Sequence, residues 1–160
     1  MTRFANLADA GRQLSPLVQQ RLQGVSDACL LAIMPNGIPV AEPLVEATGL
    51  PLLPAILARL EEPSVAALPD LSGSTVVVVD DGVETGTAAR LVGAAAREAG
   101  AAAVILAVPV CPREAGPLMD RVYDEVIAIE QPMVRRDLRW HYVDFDTIDE
   151  AEARRRMDSR

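Results

Sequence analysis

Lysine is absent from this chain: all fifteen basic residues are arginine. That excludes a P-loop, whose Lys reaches the terminal phosphates, and any Schiff-base chemistry. Histidine occurs once, at His141, and a single imidazole makes no catalytic constellation; a solvated or hydrogen-bonded His is expected. Cys29 and Cys111 lack metal-type spacing and flank expected strands, so both read as small buried side chains. Positive charge is scarce as well. Fifteen arginines against 23 acids leave a net charge of -8, which repels nucleic acid and anionic membrane. No apolar run approaches membrane-spanning length, and Met1–Asn6 has no signal-type apolar segment, so a soluble cytoplasmic protein is expected.

Half of the 160 residues are apolar, enough for one domain with a real core. The expected layout is a single domain over 1–160. It has an N-terminal helix at 4–22, a core at 27–131, and a C-terminal aromatic segment and helix at 135–160. The centre of the chain is the run Val76-Val77-Val78-Val79-Asp80-Asp81-Gly82-Val83-Glu84-Thr85-Gly86-Thr87-Ala88-Ala89. Four β-branched residues predict a buried parallel strand. Two carboxylates end it, and a Gly/Thr turn then opens an Ala-rich helix. Ligands of open α/β sheets sit beyond the carboxyl ends of the strands. Free N–H groups and the positive dipole end at a helix start favour phosphate. An anion pocket beside two acids suits a phosphorylated sugar.

This stretch resembles the PRPP-binding motif of type I phosphoribosyltransferases: an apolar run, two acids, variable positions, then Thr-Gly and small residues. The resemblance implies that Asp80 and Asp81 hold the ribose hydroxyls. It also implies that Glu84, Thr85, Gly86, Thr87 and Ala88 form the 5-phosphate loop, entered through Gly82 and Val83. Ala88 stands where the family usually has Ser or Thr. Glu84 occupies the position of an Asp near the base in purine-using relatives. Its two readings are a general base and a helix-start carboxylate favoured by the dipole. Further segments are similar to a subgroup of unassigned substrate: Phe4 with Asp9–Leu14, Pro109–Pro112, Asp124–Val126, and the closing Tyr142-Val143-Asp144-Phe145.

Departures accompany the likeness. The pyrophosphate loop of the subgroup follows the first strand, expected here at 27–34. Met34, Pro35 and Asn36 replace its Pro, Arg and first Gly. Asn36 and Gly37 are left to supply positive φ and N–H groups, and the cation is gone. Arg12 has two readings, a phosphate contact and a solvated surface residue. A short helix is expected at 41–49, ended by Gly49, and a Pro-interrupted edge strand at Leu50–Ile56. From Leu57 to Thr75 the connector is too short for a closing lid with strands of its own. Arg59 and Leu60 match the remnant of an Arg-Lys-Leu triplet. Helix Thr85–Ala99 is expected to present Leu91, Val92, Ala95 and Ala99 to the sheet. Strands at Ala103–Pro109 and Asp124–Glu130 follow, separated by a turn and helix. Trp140, Tyr142 and Phe145 read either as a base-stacking platform or as cover for a core edge. Asp146–Arg156 reads as a terminal helix with acids first and arginines last.

The expected fold is an α/β, three-layer, doubly wound parallel sheet of the type I phosphoribosyltransferase kind, strand order 2-1-3-4-5. Loops 35–37 and 80–88 should meet at the switch point. The resemblance implies PRPP or a nucleoside monophosphate and a nitrogenous base as ligands. It implies Mg²⁺ carried mainly by PRPP, with no metal ligands from the protein alone, and leaves a homodimer open. Transfer of the phosphoribosyl group is one reading. The other is a sugar-phosphate-binding module that has lost turnover, as the missing cations and short lid suggest.

Overall fold

The computed structural model describes residues 3–59 and 61–160, apart from the Arg59 side chain. The expected Arg59-Leu60 remnant therefore lies outside the described side chains. Helix α1 (Leu7–Arg21) starts where Asn6 accepts the Asp9 N–H at 2.8 Å and Asp9 accepts the Ala5 N–H at 2.9 Å, a reciprocal cap. Asp146, expected to open the terminal helix, is instead committed here and accepts the Leu7 N–H at 2.9 Å. Pro16 lies within the helix without ending it.

Strand β1 (Ala28–Ile33) runs into α2 (Gly37–Thr48), which begins four residues earlier than expected. Pro39 falls in its first turn, where no backbone donor is needed. Gly49 closes it in the left-handed conformation at φ 70°, as its position suggested. Strand β2 (Leu52–Ala55) follows, then β3 (Leu57–Arg59) and β4 (Pro63–Val65), paired antiparallel. This hairpin corrects the expectation of a strandless connector. Three-residue strands are too short to show a period, and only their packing against the rest of the fold reveals them. Next come β5 (Thr75–Val79), α3 (Thr87–Glu98), β6 (Ala103–Val110), a 3₁₀ turn at Arg113–Ala115, α4 (Gly116–Asp120) and β7 (Glu125–Glu130). A second 3₁₀ turn, Leu138–His141, precedes α5 (Glu150–Asp158).

The main sheet is parallel in the order β2-β1-β5-β6-β7, which is the expected order of its five strands. Pro54 lies on the edge strand β2, and Pro109 lies past the last β5 partner of β6, so neither breaks a central ladder. Alternation along each strand divides the core. Leu30, Ala32, Val77, Val79, Ile105 and Ala107 pack under α1 and α2, while Leu31, Val76, Val78, Val104 and Leu106 pack under α3. α3 is turned by about one residue from expectation, burying Ala89, Val92, Gly93 and Ala96. Tyr123 sets that phase: its hydroxyl donates to the Ala89 carbonyl at 2.6 Å, and its ring closes on Gly93. Leu91 is thereby turned toward the cavity described below. No described helix is long and apolar enough to cross a membrane.

Gly11 brings α1 close against α2. A Cβ there would lie 2.2 Å from the Val40 carbonyl oxygen. Gly37 plays the same part at the head of α2, where a Cβ would meet the Val79 oxygen at 2.6 Å. The second contact seats the start of α2 against the end of β5, at the point where the strand order reverses.

Candidate functional site

At the end of β5 the chain leaves the sheet through Asp80 and Asp81. Asp80 is half-buried and its carboxylate accepts the Asp81 N–H at 2.8 Å, while Asp81 is 8 % exposed. Gly82 follows at φ 150°, pressed under Leu138, whose Cδ2 would stand 2.4 Å from any Cβ added there. The Val83 N–H is tied to the Val110 carbonyl at 2.8 Å, which pins the loop to the end of β6. Gly86 takes the left-handed conformation at φ 87° immediately before α3. No side chain caps this helix start. Thr85 and Thr87 are exposed, their hydroxyls 3.3 Å apart. The Thr87 N–H makes a long contact with the Thr85 hydroxyl at 3.5 Å, and no capping side chain takes the amides that follow.

Residues 80–89 line one cavity of about 300 Å³, closed on its apolar side by Leu57 and Pro63 of the hairpin, Leu91 of α3, and Leu138. That volume is at the small end of ligand pockets. Burial pushes the Asp81 carboxyl up to about 6, against a lowering hydrogen bond with Asp80 and with a smaller upward push from the charge of Glu84. The Tyr142 hydroxyl donates to the Asp81 carbonyl at 2.7 Å, and the Leu138 N–H donates to Glu84 Oε1 at 3.0 Å. Among the described residues lining this cavity, none is cationic. Among the described residues, no group of three or more His, Cys, Asp or Glu side chains is placed to hold a metal.

A twin-acid strand end, a left-handed glycine and the start of α3 thus lie together beside one cavity. Residues 8–136 match the model of the phosphoribosyl transferase domain family. The chain belongs to that family. Solved structures agree on the fold. The protein TT1426 from Thermus thermophilus is similar with a TM-score of 0.84 at 18 % identity, covering 98 % of each chain. A purine phosphoribosyltransferase from Pyrococcus horikoshii is similar with a TM-score of 0.58 at 20 % identity, covering 89 % of this chain and 93 % of that one. A hypoxanthine-guanine phosphoribosyltransferase from Bacillus anthracis is similar with a TM-score of 0.58 at 12 % identity, covering 87 % and 88 %.

Within this phosphoribosyltransferase fold, the residues singled out from sequence do not all converge. Asp80 through Ala88 share the cavity, whereas Pro35, Asn36 and Gly37 do not line it. Neither Asn36 nor Gly37 has positive φ, contrary to expectation. Helix α2 absorbs Gly37, and the Asn36 side chain accepts the Ile148 N–H at 2.9 Å. Arg12 lies in a separate groove with Pro39, Glu42, Glu46 and Arg160. Tyr142 and Phe145 belong to the core, their rings 4.9 Å apart, with Phe4 at 5.4 Å from Tyr142. Trp140 is exposed under the Arg136 guanidinium at 4.6 Å. None of the three lines the cavity; Leu138 does. The signal for Leu138 was faint. It is the one apolar residue in Arg135-Arg136-Asp137-Leu138-Arg139.

His141 also departs from expectation. It is 1 % exposed, and neither ring nitrogen has a hydrogen-bond partner among the described residues. Burial lowers its pKa, opposed by the charge of Glu130 and assisted by that of Arg136. A lowered folded value means that the unfolded chain binds the proton more readily. This contribution to stability is therefore present above the ordinary value of 6.5 and is lost as pH falls below it. For His141→Leu, of similar volume, the melting temperature relative to the parent is expected to climb steadily between pH 7 and pH 5. A pH-independent difference would show that His141 does not titrate with unfolding.

Proposed function

We propose that this chain binds PRPP or a nucleoside 5′-monophosphate in the cavity at residues 80–88 and transfers the phosphoribosyl group between PRPP and a nitrogenous base. The observation that carries the reading is the adjacency of Asp80 and Asp81 to the open start of α3 within one cavity. The two carboxylates accept hydrogen bonds from the ribose 2- and 3-hydroxyls. The amides from Thr85 to Ala88 receive the 5-phosphate, and Gly86 lets the backbone come close to it. At neutral pH Asp81 is above its value of about 6 and is ionised, as an acceptor of two hydroxyls requires.

The carboxylates of Asp80 and Asp81 are hard oxygen donors of the kind Mg²⁺ takes, so they would suit an ion carried in by pyrophosphate. When bound, it neutralises charge on the leaving pyrophosphate. Asp80 and Asp81 are the residues that would meet it. With no cationic side chain among the described residues of the cavity wall, the pyrophosphate is held more weakly than in a site with a loop Arg or Lys. The base side is apolar, made by Leu57, Pro63 and Leu138.

Calorimetry with PRPP and Mg²⁺, and separately with AMP and GMP, tests this directly. Binding of at least one of these ligands is expected, together with pyrophosphate release from PRPP in the presence of a purine or pyrimidine. Monophosphate binding with no pyrophosphate release for any base would remove the transfer step. Failure of all three ligands to bind would remove the site.

A further inference from the structure

We propose that Glu84 is a latch rather than a proton acceptor: it holds the segment 138–142 against the acid loop, so that Leu138 forms the wall facing the acceptor base. This rests on the sugar-phosphate reading of the cavity for its ligand, but not for its geometry. Three observations carry it. The Glu84 carboxylate accepts the Leu138 backbone N–H at 3.0 Å, across 54 positions of sequence. The Leu138 side chain lies on Gly82 and lines the cavity with Leu57 and Pro63. Four residues further on, the Tyr142 hydroxyl donates to the Asp81 carbonyl at 2.7 Å. The segment thus grips the acid loop at both ends, before and after the acid pair's turn.

The two grips differ in strength. Tyr142 is buried between Phe4 and Phe145, and Phe4 exchanges backbone hydrogen bonds with His141 and Val143 at 2.8 and 2.7 Å. That end is built into the core. The Leu138 end follows an exposed stretch in which Met133 is 73 % and Val134 65 % exposed. Two carboxylates tether it through backbone amides: Glu114 at Arg135 (2.8 Å) and Glu84 at Leu138. Leu138 is itself 8 % exposed and packed in the core, and Glu84 is the side chain that ties its backbone to the acid loop. The Leu138 N–H engages Oε1 alone, so any proton would have to be taken by Oε2, and substitution separates that role from the latch.

Glutamine separates the two roles, because its amide oxygen still accepts a hydrogen bond while its basicity is gone. In the ligand-free protein, Glu84→Ala is expected to speed amide exchange at Leu138 tenfold or more, with Glu84→Gln restoring most of the protection. AMP, used as the probe, is expected to bind Glu84→Ala at least tenfold more weakly than Glu84→Gln. Unchanged exchange at Leu138 in Glu84→Ala would overturn the latch, as would equal loss of AMP affinity in both variants. Should the unaltered protein bind none of PRPP, AMP and GMP, the sugar-phosphate reading falls, and the latch still stands or falls on exchange alone.

Discussion

Asp81→Asn is expected to raise the melting temperature of this protein while removing most of its affinity for PRPP and nucleoside monophosphates. The two effects come from the same burial. Asp81 is 8 % exposed, and its carboxyl titrates near 6 instead of 3.8. The folded state therefore holds the proton more tightly than the unfolded chain. The stability penalty of the ionised form is fully present above pH 6 and vanishes as pH falls below 3.8. The shift corresponds to about 3 kcal/mol at neutral pH, part of it shared with Asp80. Asparagine keeps the shape and leaves the charge out. For a chain of this length the gain should read as roughly 5 °C or more.

Binding moves the other way. Hydrogen bonds to a charged acceptor are worth about 1.5–3 kcal/mol each, so losing the carboxylate at the ribose should weaken binding about 100-fold. The parent protein should lose affinity more steeply than the variant as pH falls below 6, the slope common to both coming from the ligand's own phosphate. Thermal melts at pH 7 and pH 5 and calorimetry on both proteins check the pair of effects. A lower melting temperature, or an affinity left intact, would contradict the account of Asp81 given above.

Gly11→Ala should produce the largest loss of stability among the glycine substitutions in the α-helices. The new methyl would stand 2.2 Å from the Val40 carbonyl oxygen and 3.0 Å from Pro43 Cγ. The first of these partners is backbone, so a rotamer change cannot relieve it; the two helices must part. Leu7, Ala10 and Leu14 on α1 and Val40, Ala41 and Leu44 on α2 would then lose their packing. Overpacking of this kind costs about 1–3 kcal/mol or more, and alanine recovers about 1 kcal/mol of that through helix propensity. A fall in melting temperature of roughly 5 °C follows for a chain of this size. Gly116→Ala is the control. It meets nothing within 4 Å and has no positive φ, so it should leave stability unchanged. Equal melting temperatures for Gly11→Ala and Gly116→Ala would mean that the α1–α2 contact tolerates a methyl.

The parallel sheet, its strand order and the twin-acid motif were legible in the sequence because each is local. Four valines, two aspartates and a Thr-Gly turn declare a strand, its end and a helix start within fourteen residues. The edge position of β2 was legible for the same reason, through Pro51 and Pro54. Boundaries were less so. Pro39 looked like a loop residue because a proline in the first turn of a helix carries the same local signal as one before it. The β3–β4 hairpin left no period to read.

The sequence by itself determined the chemistry on offer: acids at a strand end, a small-residue helix start, and no lysine anywhere. Only the tertiary structure decided how that chemistry is used. It buried Asp81, gave Asn36 to Ile148 and Asp146 to α1, and placed Leu138 rather than an aromatic ring on the cavity wall. The physical reason is that a side chain's pKa, and which of several donors it accepts from, depend on neighbours far away in the chain. Glu84 meets Leu138 across 54 residues, and no window along the sequence contains both.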